Sequence, residues 1–205
     1  MGRAIGQHHG NLRQALIGAA LELVAESTVE DVTLRAVARR AGVTASAPYH
    51  HFADKDALLA AVARDGFDAL TRVQLEILGR RGSARRRLEE MVKQYVLFAL
   101  AHQTHYELMF RTLPAEVGGA EGEALRDAAL ASFSRLVEAV RTANPALSSD
   151  EAGGKAMLAW AMAHGAVEVG RWGGALTPGF TSEALASDVG RAVGQLVSAT
   201  TSSAV

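Results

Sequence analysis

The chain contains no cysteine, and no uninterrupted apolar run approaches the roughly 20 residues that a membrane-spanning helix needs. Without cysteine, disulfide bonds and thiolate metal sites are excluded, and the reducing cytoplasm is the compartment that this composition fits. Residues 1–10 also lack the apolar core of a secretory signal. The sequence therefore predicts a cytoplasmic protein with no membrane partner, no metal site and no cofactor.

Net charge is also scarce, since the 205 residues carry a formal charge of -1, and residues 1–56 hold as many acidic as basic side chains. Such a protein has no general affinity for nucleic acid, so a DNA reader must concentrate its positive charge locally. What the chain has in quantity is apolar residues, 49% of the total, with much alanine and only 5% aromatics. This composition predicts an all-α fold of packed helices.

One stretch, residues 33–51, has the pattern of a helix-turn-helix. Thr33 is a candidate N-cap for a short helix with small apolar residues at helical spacing. Gly42 is predicted to end that helix, because glycine tolerates the left-handed geometry found there. Thr44 is predicted to cap a second short helix, which in such a unit enters the DNA major groove.

The predicted reading helix runs from about Thr44 to His50 and contains Pro48. Proline donates no N–H, so the helix is expected to be short and partly 3₁₀. Phe52 is predicted to fill the core of the three N-terminal helices. The candidate outward side chains are Ser46, Ala47, Tyr49 and His50.

Periodicity and end signals predict further helices, while residues 1–10 are predicted to form a flexible arm on which Arg3 could touch a phosphate. The expected domains are 1–53, a helix-turn-helix domain, and 54–205, a regulatory and dimerisation domain in which 54–79 is a connector. The predicted helices beyond the motif span 11–27, 54–79, 84–103, 105–112, 121–143, 149–172 and 182–200.

Residues 33–59 resemble the DNA-binding domain of the TetR family of transcriptional regulators, and residues 160–165 resemble the Trp-x-x-x-His-Gly signature of one subgroup's regulatory domain. The resemblance implies a homodimer that binds a palindromic operator and releases it when a small hydrophobic or aromatic effector enters the C-terminal domain. The matching residues are Thr33, Val37, Ala38, Ala41-Gly42-Val43-Thr44, Tyr49, His51-Phe52, Lys55 and Leu58-Leu59.

Carried over by position, the resemblance implies contacts with DNA phosphates or sugars and with bases. Pro48 departs from the larger residue often found there, which leaves the angle of the reading helix open. The implied backbone contacts are Thr33, Thr44, Tyr49, His50 and Lys55, the implied base contacts are Ser46 and Ala47, and Arg35 is a further candidate for a phosphate.

The effector pocket is expected inside the C-terminal bundle, where aromatic and methionine side chains could form an adaptable apolar lining. Ordinary core packing is the alternative for each residue taken singly. The candidate pocket residues are Tyr95, Phe98, Tyr106, Met109, Phe110, Phe133, Met157, Trp160 and His164.

The dimer surface is expected on the last two helices, where two copies of one helix pair would meet about a two-fold axis. The alternative is that this apolar stripe packs only within its own subunit. The candidate dimer residues are Ala161, Val169, Leu185, Val189, Val193 and Leu196.

Two other functions compete with the ligand-responsive repressor. One is an all-α enzyme that uses His164 and Glu168, four residues apart on one helix face. It lacks a nucleophile–base pair, a phosphate-binding glycine loop and a set of metal ligands, so the chain is predicted not to be an enzyme. The other is a DNA-binding regulator without a small-molecule effector. Operator sequence, effector identity, regulated genes and the choice between repression and activation stay open.

Overall fold

The computed structural model describes residues 5–111, 117–176 and 178–199, and throughout these ranges the regular structure is helical, which confirms the all-α prediction. None of the helices in these ranges is both long and apolar enough to cross a bilayer. In chain order the elements are α1 (Ile5–Glu26), α2 (Leu34–Arg40), a 3₁₀ helix (Ala47–His50), α3 (Lys55–Leu78), α4 (Ala84–Ala101), α5 (Gln103–Arg111), α6 (Gly119–Ala143), α7 (Ser149–Gly170), α8 (Gly173–Leu176) and α9 (Ser182–Ser198).

Most predicted helices appear within two residues of their expected ends, but two predictions were wrong. Residues 5–10 belong to α1 and not to a flexible arm. Gly6 and Gly10 disfavour a helix locally, yet extending a helix already formed adds one hydrogen bond per residue. No helix was predicted between residues 172 and 182, but Gly173 and Gly174 lie in the one-turn helix α8. Arg3 lies outside the described residues.

The chain packs as two compact units. The first unit combines residues up to Phe67 with Thr104–Ala129, and the second combines Asp68–Gln103 with residues from Leu130 onward. These units follow packing, so they divide the chain differently from the expected boundary at residue 53: the start of α3 and all of α5 beyond Gln103 group with the N-terminal helices.

The first unit closes over a dense apolar core. Phe52 is 1% exposed, which confirms its predicted role as the residue that fills this core. Each of α1, α2 and α3 turns a face of mainly aliphatic side chains inward, as helical spacing predicts. The buried residues include Leu16, Ile17, Ala20, Leu34, Val37, Ala38, Leu58, Leu59 and Val62.

The second unit depends on the close approach of α9 to α4. A Cβ atom added at Gly190 of α9 would lie 2.5 Å from the backbone carbonyl oxygen of Glu89. At Gly194 the added atom would instead meet the Glu89 side chain. Glycine at position 190 therefore lets the backbones of α4 and α9 approach more closely than a side chain would allow.

Candidate nucleic-acid interface and buried polar cluster

The turn of the helix-turn-helix has the hydrogen bonds that its residues predict. The hydroxyl of Thr33 accepts a bond from the N–H of Ala36, at 3.1 Å, which confirms Thr33 as the N-cap of α2. Gly42 has φ +69°, and its N–H donates to the carbonyl of Arg39. The N–H of Val43 donates to the carbonyl of Ala38 at 3.0 Å. These two bonds form a Schellman motif, which fixes the direction in which the chain leaves α2.

The reading segment, residues 44–50, contains the expected 3₁₀ helix, with Pro48 in its first turn. An N–H at that position would have no partner within the helix, so proline costs no helical hydrogen bond there. Pro48 is buried, and its carbonyl accepts bonds from the N–H groups of both His51 and Phe52 at 2.9 Å. Pro48 therefore anchors the reading segment to the core and is not a defect in it.

Thr44 does not cap the second helix, and that prediction was wrong. The N-cap position of the 3₁₀ helix belongs to Ser46, whose side chain makes no capping bond. The hydroxyl groups of Thr44 and Ser46 lie 3.3 Å apart and bond to each other. Because Pro48 can occupy only the start of the helix, the helix begins three residues after Thr44 and its hydroxyl cannot reach the expected N–H.

The other expected DNA contacts differ in how accessible they are. Arg35, Ser46 and His50 are exposed, Tyr49 is 55% exposed, and Ala47 is half-buried. Lys55 is half-buried, and its Nζ donates to the backbone carbonyl of Glu30 at 3.0 Å. Lys55 thus supports the loop before α2, while its remaining two N–H groups are available for a phosphate.

Arg40 is turned away from the reading segment. Its guanidinium donates to Glu22 and Glu26 of α1, at 3.1 Å for Glu22. The hydrogen bond from Arg40 lowers the pKa of the Glu26 carboxyl below its ordinary value of 4.5. Because Arg40 is paired with these carboxylates, the candidate phosphate contacts among the basic residues near the reading segment are Arg35 and Lys55.

A partly buried ion pair joins α1 to the start of α6 within the first unit. Arg13 donates to both carboxylate oxygens of Glu121, at 2.7 and 2.8 Å, and its guanidinium carbon lies 5.2 Å from the centre of the Phe52 ring. Arg13 therefore contacts both Phe52, in the core of the three N-terminal helices, and Glu121 of α6. No local pattern pointed to this pairing, because 108 residues separate the partners.

The predicted pocket residues do not form one site. Tyr106, Met109 and Phe110 belong to the first unit, where the Phe110 ring packs edge-on against Phe67 and Tyr106, with ring centres 5.7 and 4.9 Å away. Met109 packs against Gly66 of α3. These three residues are core of the first unit. Helical spacing predicted that they are buried but could not predict in which core.

Tyr95 and Trp160 line a small cavity in the second unit, and His164 bonds to the same Tyr95 hydroxyl. The indole N–H of Trp160 donates to the Tyr95 hydroxyl at 3.1 Å, and that oxygen lies 3.3 Å from Nδ1 of His164. The cavity measures about 20 Å³, which holds about one water molecule. Its lining residues are Gln74, Met91, Val92, Tyr95, Leu136, Ala159, Trp160 and Ala163.

Sequence reasoning missed two buried polar residues, Gln74 at this cavity and its partner Ser132. Gln74 of α3 and Ser132 of α6 are 6% and 5% exposed, and the Ser132 hydroxyl donates to Gln74 Oε1 at 3.3 Å. A signal was present, since Gln74 follows Leu70 by four residues and precedes Ile77 by three on an apolar helix face. A polar residue at such a position is a candidate for function.

The remaining pocket predictions fall at the surface of the second unit. Phe98 is half-buried, with its ring 4.8 Å from that of His102. Phe133 is half-buried at an open groove on α6. Met157 is 49% exposed, so its placement inside the bundle was wrong: α7 turns alanine inward at 156, 159 and 163, and Met157 points outward.

The side of α7 that carries Met157 presents a set of exposed apolar side chains, here called the outer face of α7. Val169 is 54% and Leu158 53% exposed, and the predicted dimer residue Ala161 lies between them. On α9, Leu185, Val189 and Leu196 are half-buried. The outer face of α7 consists of Met157, Leu158, Ala161, Met162 and Val169.

Val193 is a predicted dimer residue that the structure contradicts. It is 0% exposed and lies on the face of α9 that packs within its own unit, beside Gly190 and Gly194. The apolar stripe of α9 therefore has two parts. The inner part packs against α4, and only the flank remains accessible to a second copy.

The residues of the enzyme alternative have other partners. His164 bonds to Tyr95, and the exposed Glu168 carboxylate lies 3.8 Å from Arg171. Among the described residues, no group of three or more His, Asp or Glu side chains could hold a metal ion.

Family models match both halves of the chain. The model described as "Tetracyclin repressor-like, C-terminal domain" matches residues 88–198, which is more than half of the chain. The model described as "Bacterial regulatory proteins, tetR family" matches residues 16–62 and includes the whole reading segment. The chain belongs to the TetR family.

The matches with curated relatives cover only part of each chain. The chain is 42% identical over 82 residues to the HTH-type transcriptional regulator BetI of Escherichia coli O127:H6 (strain E2348/69 / EPEC), and the match covers 39% of this chain and 42% of BetI. The matching part therefore spans less than half of the curated relative.

Solved structures, among them a TetR-family regulator, are similar to this chain over most of its length. A protein with unknown function from Rhodococcus sp. RHA1 is 30% identical with a TM-score of 0.77, covering 94% of this chain and 98% of that one. The TetR family transcriptional regulator PfmR from Thermus thermophilus is 14% identical with a TM-score of 0.67, covering 88% and 97%. At such an identity PfmR supports the fold alone.

Proposed function

We propose that this TetR-family protein is a DNA-binding transcriptional regulator that represses from a palindromic operator in the cytoplasm and is released by a small molecule. The observation that carries the proposal is the reading segment, whose side chains are exposed while Pro48 and Phe52 anchor it to a closed core. No catalytic role is proposed, since His164 and Glu168 have structural partners and the matching families are regulators.

The reading segment would work as one of a pair. Two such segments enter successive major grooves when they lie about 34–36 Å apart, and phosphate contacts from Thr33, Arg35 and Lys55 would set their register. The outer face of α7, with the flank of α9, is the apolar surface on which a second copy would pack. Self-association through one patch gives the two-fold symmetry that a palindrome requires.

The effector would bind where Gln74, Tyr95 and Trp160 meet. Gln74 belongs to α3, the helix that begins at Lys55 directly after the reading segment. The cavity is too small for an effector as it stands, so binding would separate its helices and favour a different position of α3. A ligand changes DNA affinity only through such a preference for one shape. The buried amide and hydroxyl groups favour an apolar or aromatic compound that also carries a hydrogen-bonding group.

The small cavity also favours a second candidate, a regulator without a small-molecule effector. A volume of about 20 Å³ filled by one water would leave Gln74 and Ser132 as a structural pair. Regulation would then depend on a protein partner or on the concentration of the regulator itself.

DNA binding is tested by measuring operator affinity at several salt concentrations. Tyr49→Ala and Lys55→Ala should weaken binding, and losing the Lys55 phosphate contact should reduce the salt slope by about one. Arg72→Ala removes an exposed cation from the second-unit part of α3 and is the matched control. Because Lys55 also holds the Glu30 carbonyl, circular dichroism must show that its variant is folded. Unchanged affinity and slope in both variants would contradict the proposal.

The effector site is tested with a panel of small aromatic acids, amides and phenols added to the operator complex. Trp160→Phe, which removes the N–H that Tyr95 accepts, should shift the concentration needed for release with little change in operator affinity. Phe110→Ala lies in the other unit and should not shift it if the variant is folded. Failure of every compound to release DNA would favour the second candidate.

A further inference from the structure

We propose that the reading segment identifies its operator through the 5-methyl groups of thymine, by apolar contact, and not through paired hydrogen bonds to guanine or adenine. The inference rests on the DNA-binding function proposed above and adds the class of DNA sequence that this surface reads.

The first support is the chemistry of the segment. From Ala41 to Ala53 the sequence contains no Arg, Lys, Asn, Gln, Asp or Glu. Arginine or lysine on guanine, and asparagine or glutamine on adenine, are the side chains that make two bonds to one base in the major groove. The reading segment therefore lacks every side chain that gives paired hydrogen-bond readout.

The basic side chains nearest in sequence are directed elsewhere. Arg40 bonds to Glu22 and Glu26 of α1, and Lys55 bonds to the Glu30 carbonyl. Arg35 and Arg39 lie on α2, the helix that in this motif crosses the DNA backbone and not the bases. Arg35, Arg39 and Lys55 suit phosphates, which carry no sequence information.

Besides His50 and the hydroxyl groups of Thr44 and Ser46, the segment exposes only apolar and aromatic side chains. Ala45 is exposed, Ala47 is half-buried and the Tyr49 ring is 55% exposed. The hydroxyls of Thr44 and Ser46 bond to each other. The thymine methyl is the apolar group of the major groove, and alanine and aromatic side chains are suited to contact it.

Buried Pro48 holds this surface in place. It sets the short 3₁₀ helix, whose i to i+3 bonding begins with the N–H of Tyr49 donating to the carbonyl of Ser46 at 3.2 Å. His50 is exposed as well, and its imidazole can form single bonds to a base or phosphate. A guanine-dependent site read by His50 is therefore the alternative that the experiment must separate.

The experiment begins by selecting bound sites from a random duplex library with the full chain. Each thymidine of the selected half-site is then replaced by deoxyuridine, which lacks only the 5-methyl group. At the contacted positions we expect affinity to fall about fourfold for each methyl removed, and about fifteenfold when both half-sites change. Deoxyuridine placed outside the half-sites is the matched control and should have no effect.

A mutant cycle assigns the contact to the segment. Tyr49→Ala or Ala45→Gly should abolish the preference for thymidine over deoxyuridine at one position while leaving the preference at the others. Equal affinity for thymidine and deoxyuridine throughout, or a loss on replacing guanine by 7-deazaguanine that disappears in His50→Ala, would overturn the inference alone. Selection of no specific site would overturn the DNA-binding function with it.

Discussion

The two compact units differ in how many of their large apolar side chains are exposed to solvent. In the described part of the first unit, Tyr49 alone stands among the exposed large apolar residues. In the second unit the exposed set comprises Leu75, Leu130, Met157, Leu158, Met162, Val169 and Trp172. The first unit keeps its other large apolar side chains out of the exposed class and exposes one aromatic ring at the reading segment. The second keeps an apolar face open along α7.

The difference indicates two kinds of partner. A wet, charged DNA groove needs few apolar contacts, and one ring with a few methyl groups suffices for it. An open apolar helix face is typical of a surface that another protein covers. The comparison therefore supports the proposal that DNA binds to the first unit and that a second copy of the chain packs on the second.

Placing a charge on the outer face of α7 should have the largest effect. Leu158→Glu would bury a carboxylate in the proposed subunit contact, at a cost of several kcal/mol, so the dimer should dissociate and operator affinity should fall at least about a hundredfold. Leu130→Glu on α6 is the control, because Leu130 is 57% exposed but lies off this face. Light scattering measures the dimer. A dimeric Leu158→Glu protein with normal affinity would break the comparison.

Filling the α4–α9 contact should lower stability next most. Gly190→Ala places a methyl against the Glu89 backbone and should destabilise the protein by about 1–3 kcal/mol. Gly194→Ala meets only the Glu89 side chain, which can swing away, and the gain of about 1 kcal/mol in helix propensity should offset much of that cost. Urea unfolding measures both variants. Equal losses would show that the inner face of α9 is less tightly held than the structure indicates.

Breaking the Arg13–Glu121 pair should have a moderate effect on the first unit. Glu121→Gln removes a charged pair in which one guanidinium nitrogen donates to both carboxylate oxygens, with the side chains 24% and 20% exposed, and should cost about 1 kcal/mol. Glu138→Gln, on the same helix, breaks a more exposed pair with Arg135 and should cost close to nothing. If thermal unfolding shows no difference between the two variants, the Arg13 contact is no better than a surface pair.

The smallest effect concerns Glu26. Because Arg40 lowers the pKa of this carboxyl in the folded state, the pair stabilises the protein above pH 4.5, and the stabilisation is lost as the pH falls through the lowered value. NMR titration should find the pKa of Glu26 below 4.5 in the wild type and near 4.5 in Arg40→Ala. The same value in both proteins would mean that the pair does not persist in solution.

Local signals predicted the first unit well. Thr33, Gly42 and Phe52 lie where capping, turn geometry and periodicity place them. Each of these roles depends on residues within a few positions in the chain. Within the helix-turn-helix Thr44 is the exception, because the position of Pro48 and not the nature of Thr44 decides where the next helix begins.

The buried polar cluster of the second unit was only partly predictable. Tyr95, Trp160 and His164 do meet, but Tyr106, Met109 and Phe110 pack in the other unit. An apolar residue at helical spacing is predicted to be buried, but the hydrophobic effect has no preferred direction. The spacing therefore does not predict which neighbouring helix covers the residue.

Residue order alone was enough to predict most helices and their ends, the all-α fold and the position of the reading segment, because these follow from short-range hydrogen bonds and periodicity. Helix packing was needed to show that Pro48 anchors the reading segment, that Val193 faces inward while Val169 faces outward, and that Gln74 reaches a buried cavity. Those outcomes depend on which helices pack together, and that choice is made by shape and close contact over residues far apart in the chain.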